Sequence, residues 1–223
     1  MLKTQNITSG SLPLFPEPTI RRLPWYLSYV RTLKEQGVEY VSSTQISRDI
    51  NVDASMIAKD LSYLNIKGKT RIGYHVATLE FQLQEFLGFK QMHNAVMIGT
   101  GQLGSLLLQD NGLRDYGLRI VAGFDVDPAK VGTTIGDVPI YSMNDFAALL
   151  PELKAEIGVI TVPPECAQHV TDIIVDAGIH ALWNFTPFRI IAPDGIVIQN
   201  TSIYAHLALI YNRLEMRDAN SPS

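Results

Sequence analysis

The sequence predicts an α/β chain in two parts: a short helical front followed by a doubly wound parallel sheet that ends in a long terminal helix. Three observations carry this. The apolar run Ala95–Ile98 enters Gly99-Thr100-Gly101-Gln102-Leu103-Gly104, and a second run, Ile120–Phe124, ends on Asp125. From Asn94 onward, apolar strand-like runs alternate with helical patterns, which builds a parallel sheet with helices on both faces. Before residue 67 the apolar residues recur at helical spacing in three short stretches, and a turn holding three cations follows.

Residues 1–18, rich in Thr, Ser, Gly and Pro, read as a flexible arm. Order begins at Thr19: Leu23, Leu27, Val30 and Leu33 share one helical face, and Gly37 stops the helix. Ser43 or Thr44 then caps a short helix through Ile50, and Asn51–Asp53 makes a turn. Asp53 opens a third helix with Ile57, Leu61 and Leu64 as its buried stripe. Two short helices joined by a tight turn make a helix-turn-helix. Ser55, Lys59 and Ser62 project away from that stripe, small polar residues with a cation, as a helix reading the DNA major groove requires. Lys67–Val76 reads as a turn and β-ribbon with Lys67, Lys69 and Arg71 at its tip, a wing suited to lie along phosphates. A merely solvated hairpin would show the same charges. Leu79, Leu83, Phe86 and Leu87 form an amphipathic helix, and Gly88 closes a winged-helix domain over residues 19–88.

The second domain, residues 89–200, reads as a Rossmann unit. Glycines at 99, 101 and 104 let a strand turn tightly into a helix and let backbone amides approach a pyrophosphate at the helix's positive end. Asp125 lies where a carboxylate accepts hydrogen bonds from the adenosine ribose and repels a 2′-phosphate, so NAD(H) is expected over NADP(H). Ligands on such sheets sit at the carboxyl ends of strands, which nominates Thr161-Val162-Pro163 and Asn184-Phe185-Thr186-Pro187 as further walls. In residues 201–223, Ile203, Leu207, Ile210 and Leu214 give the terminal helix an apolar face, the mark of an oligomer contact.

Bulk properties narrow the function. The net charge of −4 divides into +3 over residues 1–90 and −7 over the remainder, so the front alone is suited to a polyanion. The single cysteine, Cys166, excludes an intrachain disulfide and a cysteine metal cluster, and reads as a small buried residue near a helix start. No secretory pattern and no membrane-length apolar run is found, so a cytoplasmic location is expected. The five histidines, His75, His93, His169, His180 and His206, are scattered, and neither a metal site nor a catalytic proton donor is expected. Two rivals use the same residues: a nicotinamide-dependent dehydrogenase, and a nucleotide-binding module resembling CoA-binding domains whose front contacts protein.

The chain resembles the Rex family of bacterial NADH-sensing transcriptional repressors. The likeness rests on Thr19-Ile20-Arg21-Arg22-Leu23-Pro24, Val41-Ser42-Ser43, Lys59-Asp60-Leu61-Ser62-Tyr63, Gly73-Tyr74, the Gly99–Gly104 loop, Phe124-Asp125-Val126-Asp127-Pro128, Ala177-Gly178-Ile179 and Asn184-Phe185, in that order. It implies a homodimer with a domain-swapped C-terminal helix. Such a dimer binds palindromic operators in double-stranded DNA when NADH is low relative to NAD+, and NADH releases it. The cofactor residues so implied or nominated are Gly99, Thr100, Gly101, Gln102, Leu103, Gly104, Asp125, Val126, Thr161, Val162, Asn184, Phe185 and Ile203. The DNA-binding residues are Ser43, Thr44, Ser55, Lys59, Lys69, Arg71, Gly73 and Tyr74. Several positions depart from the family pattern. Ala58 stands where many members have Arg; Ser28, Asp110 and Ser202 replace the Arg, Tyr and Asp of the switch network; Ile203 replaces a Phe that inserts beside the partner's nicotinamide. Asp110 and Ser202 can still bond across the dimer with donor and acceptor exchanged.

Overall fold

A computed structural model describes residues 15–219. Most of the arm expected over residues 1–18 lies outside them, as do residues 220–223. The chain divides into two compact units, Met1–Lys90 and Gln91–Ser223.

The first unit begins with α1 (Glu17–Glu35), two residues ahead of the expected Thr19. Pro16 precedes it and Pro18 lies in its first turn, where a missing N–H removes no helix bond. Leu23, Tyr26, Leu27, Val30 and Leu33 are buried, each such side chain contributing about 1.5–3 kcal/mol. After β1 (Tyr40–Val41) come α2 (Ser43–Ile50) and α3 (Ala54–Tyr63). The cap of α2 is Ser42, whose hydroxyl accepts from the Gln45 amide, not the expected Ser43 or Thr44, which lie inside the first turn. Asn51 ends α2 in the left-handed region, and Asp53 caps α3 through the Ser55 and Met56 amides. Ile57 and Leu61 are buried as expected, but Asp60 shares their face.

The wing is smaller than the ribbon read from the sequence. Lys69 and Gly73 form a single bridge, and β2 (Tyr74–His75) pairs antiparallel with β1, the strand ahead of α2. Gly73 has φ +104°, and a Cβ there would lie 2.4 Å from the Val41 carbonyl oxygen, so backbone packing already explains this glycine. His75 caps α4 (Val76–Phe86), which lays Leu79 and Leu83 on α1.

The second unit holds a seven-stranded sheet built from β3 (His93–Ile98), β4 (Leu118–Asp125), β5 (Thr134–Ile135), β6 (Val138–Ser142), β7 (Ile157–Ile160), β8 (Ala181–Asn184) and β9 (Val197–Asn200). Its order is β5-β6-β4-β3-β7-β8-β9, parallel throughout except for the β5–β6 hairpin. Along β3 the side chains alternate between two cores: Ala95 and Met97 face one, Val96 and Ile98 the other. That is why the strand reads as continuously apolar. Helices α5 (Gln102–Gln109), α6 (Gly112–Asp115), α7 (Phe146–Leu153) and α8 (Ala167–Asp176) complete the unit, with α9 (Ile203–Ala219) after β9. The chain builds outward from β3 through β4 and β6, then crosses to β7, β8 and β9 on the other side. The switch therefore falls beside β3, with the glycine loop at its carboxyl end.

Candidate nucleotide cleft and nucleic-acid face

The three loop glycines have three different physical reasons. Gly99 has φ +86°, and a Cβ there would lie 2.9 Å from Val162 Cγ1. Gly104 lets α5 press on the loop, since a Cβ would sit 2.3 Å from the Gly99 carbonyl oxygen and 2.8 Å from Thr161 Oγ1. Gly101 is exposed with nothing within 4 Å of its would-be Cβ, so this side of the loop is open. The first-turn amides of α5, at Gln102 and Leu103, have no intrahelical acceptor, and no side chain caps this end of the helix. Thr161 fixes the loop from β7's end through a 2.6 Å bond from its hydroxyl to the Gly99 carbonyl.

Two residues expected to face the ligand turn inward. Thr100 is buried, and both its amide (2.8 Å) and its hydroxyl (2.6 Å) donate to Asp125 Oδ2. The Asp125 side chain, 9% exposed, also takes Lys130 Nζ at 3.0 Å on Oδ2 and the Asp127 amide at 3.0 Å on Oδ1. Burial pushes this carboxyl up, but the Thr100 hydroxyl, the Asp127 and Thr100 amides and the Lys130 ammonium outweigh it and hold it well below the usual carboxylate range. Thr100 and Asp125 thus anchor the loop, with three donors on Oδ2 and one on Oδ1. Val126 beside them is 83% exposed.

A cavity of about 230 Å³ opens at the carboxyl ends of β7 and β8, lined by Leu103, Thr161, Val162, Phe185, Thr186, Pro187, Ile203 and Tyr204. Tyr204 lies beside the apolar stripe of α9, and nothing in the helical spacing marks it as a cavity residue. Asn184 does not reach the cavity. It is fully buried, donating to the Phe188 carbonyl and Asn200 Oδ1 and accepting from the Thr186 amide, so it shapes the turn that carries Phe185. Cys166 is exposed at the start of α8, against the buried position expected, because the preceding Pro163-Pro164 turn carries it along the surface. His93 pairs with Glu156 at 3.1 Å at the amino end of the sheet, opposite the cleft.

On the first unit, Ser55, Met56, Lys59, Ser62 and Tyr63 are exposed along α3. Lys59 has no ion pair among the described residues, while the Ser55 and Ser62 hydroxyls donate to Asp53 and to the Lys59 carbonyl. Beneath them Asp60, 1% exposed, accepts from Thr19 Oγ1 (2.9 Å), Arg22 Nε (2.7 Å) and Nη2 (2.8 Å), and Tyr26 OH (2.7 Å). Burial alone raises its pKa, but Arg22, Tyr26 and Thr19 together lower it below the ordinary value. This clamp ties α3 to α1, and its signal in the sequence is an acid at a core position of a helical stripe. Lys69 Nζ reaches Tyr40 OH at 3.2 Å, and Arg71, with φ +64°, is exposed at the wing's turn. Tyr74 is half-buried.

Ser28 is exposed on α1. Asp110 ends α5 and accepts from the Gly112 amide at 3.0 Å, while Ser202 caps α9 by accepting from the Ala205 amide at 3.1 Å. Both polar groups therefore hold local bonds within the chain. Along α9, Ile203, Tyr204, Leu207, Leu209, Ile210, Tyr211, Leu214 and Met216 are all exposed.

A helix-turn-helix unit joined in one chain to a parallel sheet with a dinucleotide-type glycine loop defines a regulator that carries its own nucleotide-binding domain. The chain is 56% identical, over 98% of its length and 99% of the relative's, to the redox-sensing transcriptional repressor Rex of Bacteroides thetaiotaomicron, and 53% identical over 90% of its length and 92% of the relative's to the Rex protein of Porphyromonas gingivalis. It belongs to the Rex family of redox-sensing transcriptional repressors. Residues 15–62 match the family described as putative DNA-binding protein N-terminus, and residues 90–188 match the one described as CoA binding domain. Among solved structures, RSP in complex with β-NAD+ and operator DNA is similar at TM-score 0.87 and 30% identity, covering 93% of this chain and 96% of that one. RSP in complex with β-NADH is similar at TM-score 0.83.

Proposed function

We propose that this chain is a cytoplasmic homodimeric repressor that grips a palindromic operator when NADH is scarce and releases it when NADH fills the cleft. The observation that carries the reading is the glycine loop: Gly104 has no room for a side chain, whereas Gly101 opens onto free space beside unsatisfied helix amides. Gly99–Gly104 cradle the pyrophosphate. Val126 covers the adenosine end, and Thr161, Val162, Phe185 and Ile203 wall the nicotinamide. A reduced ring is neutral and enters that mostly apolar cavity more easily than the cationic oxidised ring. Residues 19–88 meet DNA, with Lys59 and Ser55 on the reading helix, Ser43 and Thr44 at the start of α2, and Lys69 and Arg71 of the wing on phosphates; Gly73 and Tyr74 shape that wing. Residues 201–223 join the two subunits through α9. Ser28, Asp110 and Ser202 contribute to the switch in the altered form noted above.

A regulator is favoured over a dehydrogenase by the helix-turn-helix of the first unit, whose α3 exposes Ser55, Lys59 and Ser62, a feature that hydride transfer does not call for. It is favoured over a CoA-type module without DNA binding by the unpaired Lys59 on the exposed face of α3. Operator binding titrated with NADH at several fixed NAD+ concentrations tests the reading. Release by NADH, opposed by NAD+, is expected; operator affinity indifferent to both would overturn it.

A further inference from the structure

The glycine pattern put a bare carboxylate at the ribose end of the cleft, but the residue presented there is a cation. An ionised carboxylate has about four acceptor positions. Asp125 fills most of them from inside: Oδ2 takes the Thr100 amide, the Thr100 hydroxyl and Lys130 Nζ, and Oδ1 takes the Asp127 amide. Its side chain is 9% exposed, whereas that of Lys130 is 34% exposed. An ammonium carries three N–H donors, and Lys130 has one on Asp125. In a dinucleotide laid over the open side of Gly101, the adenosine ribose comes to the carboxyl end of β4, where this ammonium stands.

We propose that Lys130 is the residue that meets the adenosine ribose, donating to a hydroxyl oxygen, and that Asp125 is the anchor holding both Lys130 and the glycine loop in place. The proposal rests on the nucleotide reading above and deepens it. It also changes the account of specificity. The Asp125–Lys130 pair is neutral overall, so a 2′-phosphate meets an ammonium first. Replacing Lys130 by an uncharged residue therefore has two effects. Both dinucleotides lose a charge-assisted hydrogen bond, and the 2′-phosphate of NADPH alone also faces an uncompensated carboxylate.

The test uses the full-length protein, titrating NADH directly and NADPH by displacement of NADH, for wild type, Lys130→Met and Lys130→Arg. Lys130→Met is expected to weaken NADH roughly tenfold and NADPH several-fold more than that, and Lys130→Arg to restore most of both. The assignment is overturned if Lys130→Met binds NADH within twofold of wild type. It is equally overturned if the variant weakens both dinucleotides by one factor while lowering the unfolding temperature of the ligand-free protein, since Lys130 would then act only through the loop. NADPH that never displaces NADH from wild type also speaks against a cation at the 2′ position. Wild type that binds neither dinucleotide overturns the nucleotide reading itself, an outcome distinct from the others.

Discussion

Two glycines in one loop separate packing from recognition. Gly104→Ala forces a Cβ to within 2.3 Å of a backbone oxygen, so it is expected to destabilise the second unit by about 1–3 kcal/mol as well as to impair NADH binding. Gly101→Ala meets nothing within 4 Å; thermal unfolding is expected to change by less than about 1 kcal/mol while NADH affinity falls, because the methyl occupies the ligand's path. Unfolding scans beside NADH titrations of the two variants check the contrast, and equal destabilisation by both would refute it. Asp125 makes a prediction about pH. Its pKa is depressed on folding, so its stabilisation is complete above the unfolded value of about 3.9 and is lost as pH falls below that toward the folded value. Asp60 behaves the same way. Urea unfolding should therefore give a stability that falls steeply below about pH 4, and the fall should be shallower in Asp125→Asn.

The elements show which features reach the sequence and which do not. Helix α3 is held to α1 by one buried acid bonded to Thr19, Arg22 and Tyr26. Asp60→Ala leaves Arg22, 19% exposed, without its partner and is expected to cost about 3 kcal/mol, abolishing operator binding while NADH affinity in the other unit is retained. Gel shift and NADH titration on the same preparation check this, and loss of both activities together would count against a local role. The clamp was hard to read because it joins residues 38 and 41 positions apart, whereas periodicity sees only one helix at a time. The same limit applies to Asp125, whose place at a strand end was legible but whose inward bonds depend on Thr100 and Lys130. The hairpin β5–β6 carries little sequence signal, since β5 has two residues and Pro139 lies inside β6. In the fold, the ladder to β4 begins at Ile140, so the proline interrupts no bond on that side. The wing is smaller than its three cations suggest because only two strand residues and one bridge pair there, too few to leave a periodic signal. What was legible, the glycine loop, the helix-turn-helix and the alternating sheet, rests on local spacing alone.

At the scale of the molecule, α9 displays eight large exposed side chains, Ile203 to Met216, among the described residues, and the proposed dimer would cover them with a partner surface. Deleting the chain after Thr201 is expected to convert the dimer to monomer in sedimentation and to weaken operator binding severely, since two half-sites are then no longer held at fixed spacing. A truncated chain that remained dimeric would place the interface elsewhere. The altered switch adds a finer test: Asp110→Ala and Ser202→Ala should each reduce NADH-induced release, and unchanged release in both would remove the pair from the mechanism. Release itself obeys a thermodynamic constraint. NADH can loosen DNA only by binding the DNA-incompetent dimer more tightly, and a coupling of about 1–3 kcal/mol corresponds to several-fold to about a hundredfold weaker operator affinity. Linkage makes this reciprocal, so saturating operator DNA must weaken NADH binding by the same factor. Measuring both sides of the cycle at one salt concentration decides the question: equal factors establish a switch shared by the two units, and an NADH affinity untouched by operator means that any release seen has another origin.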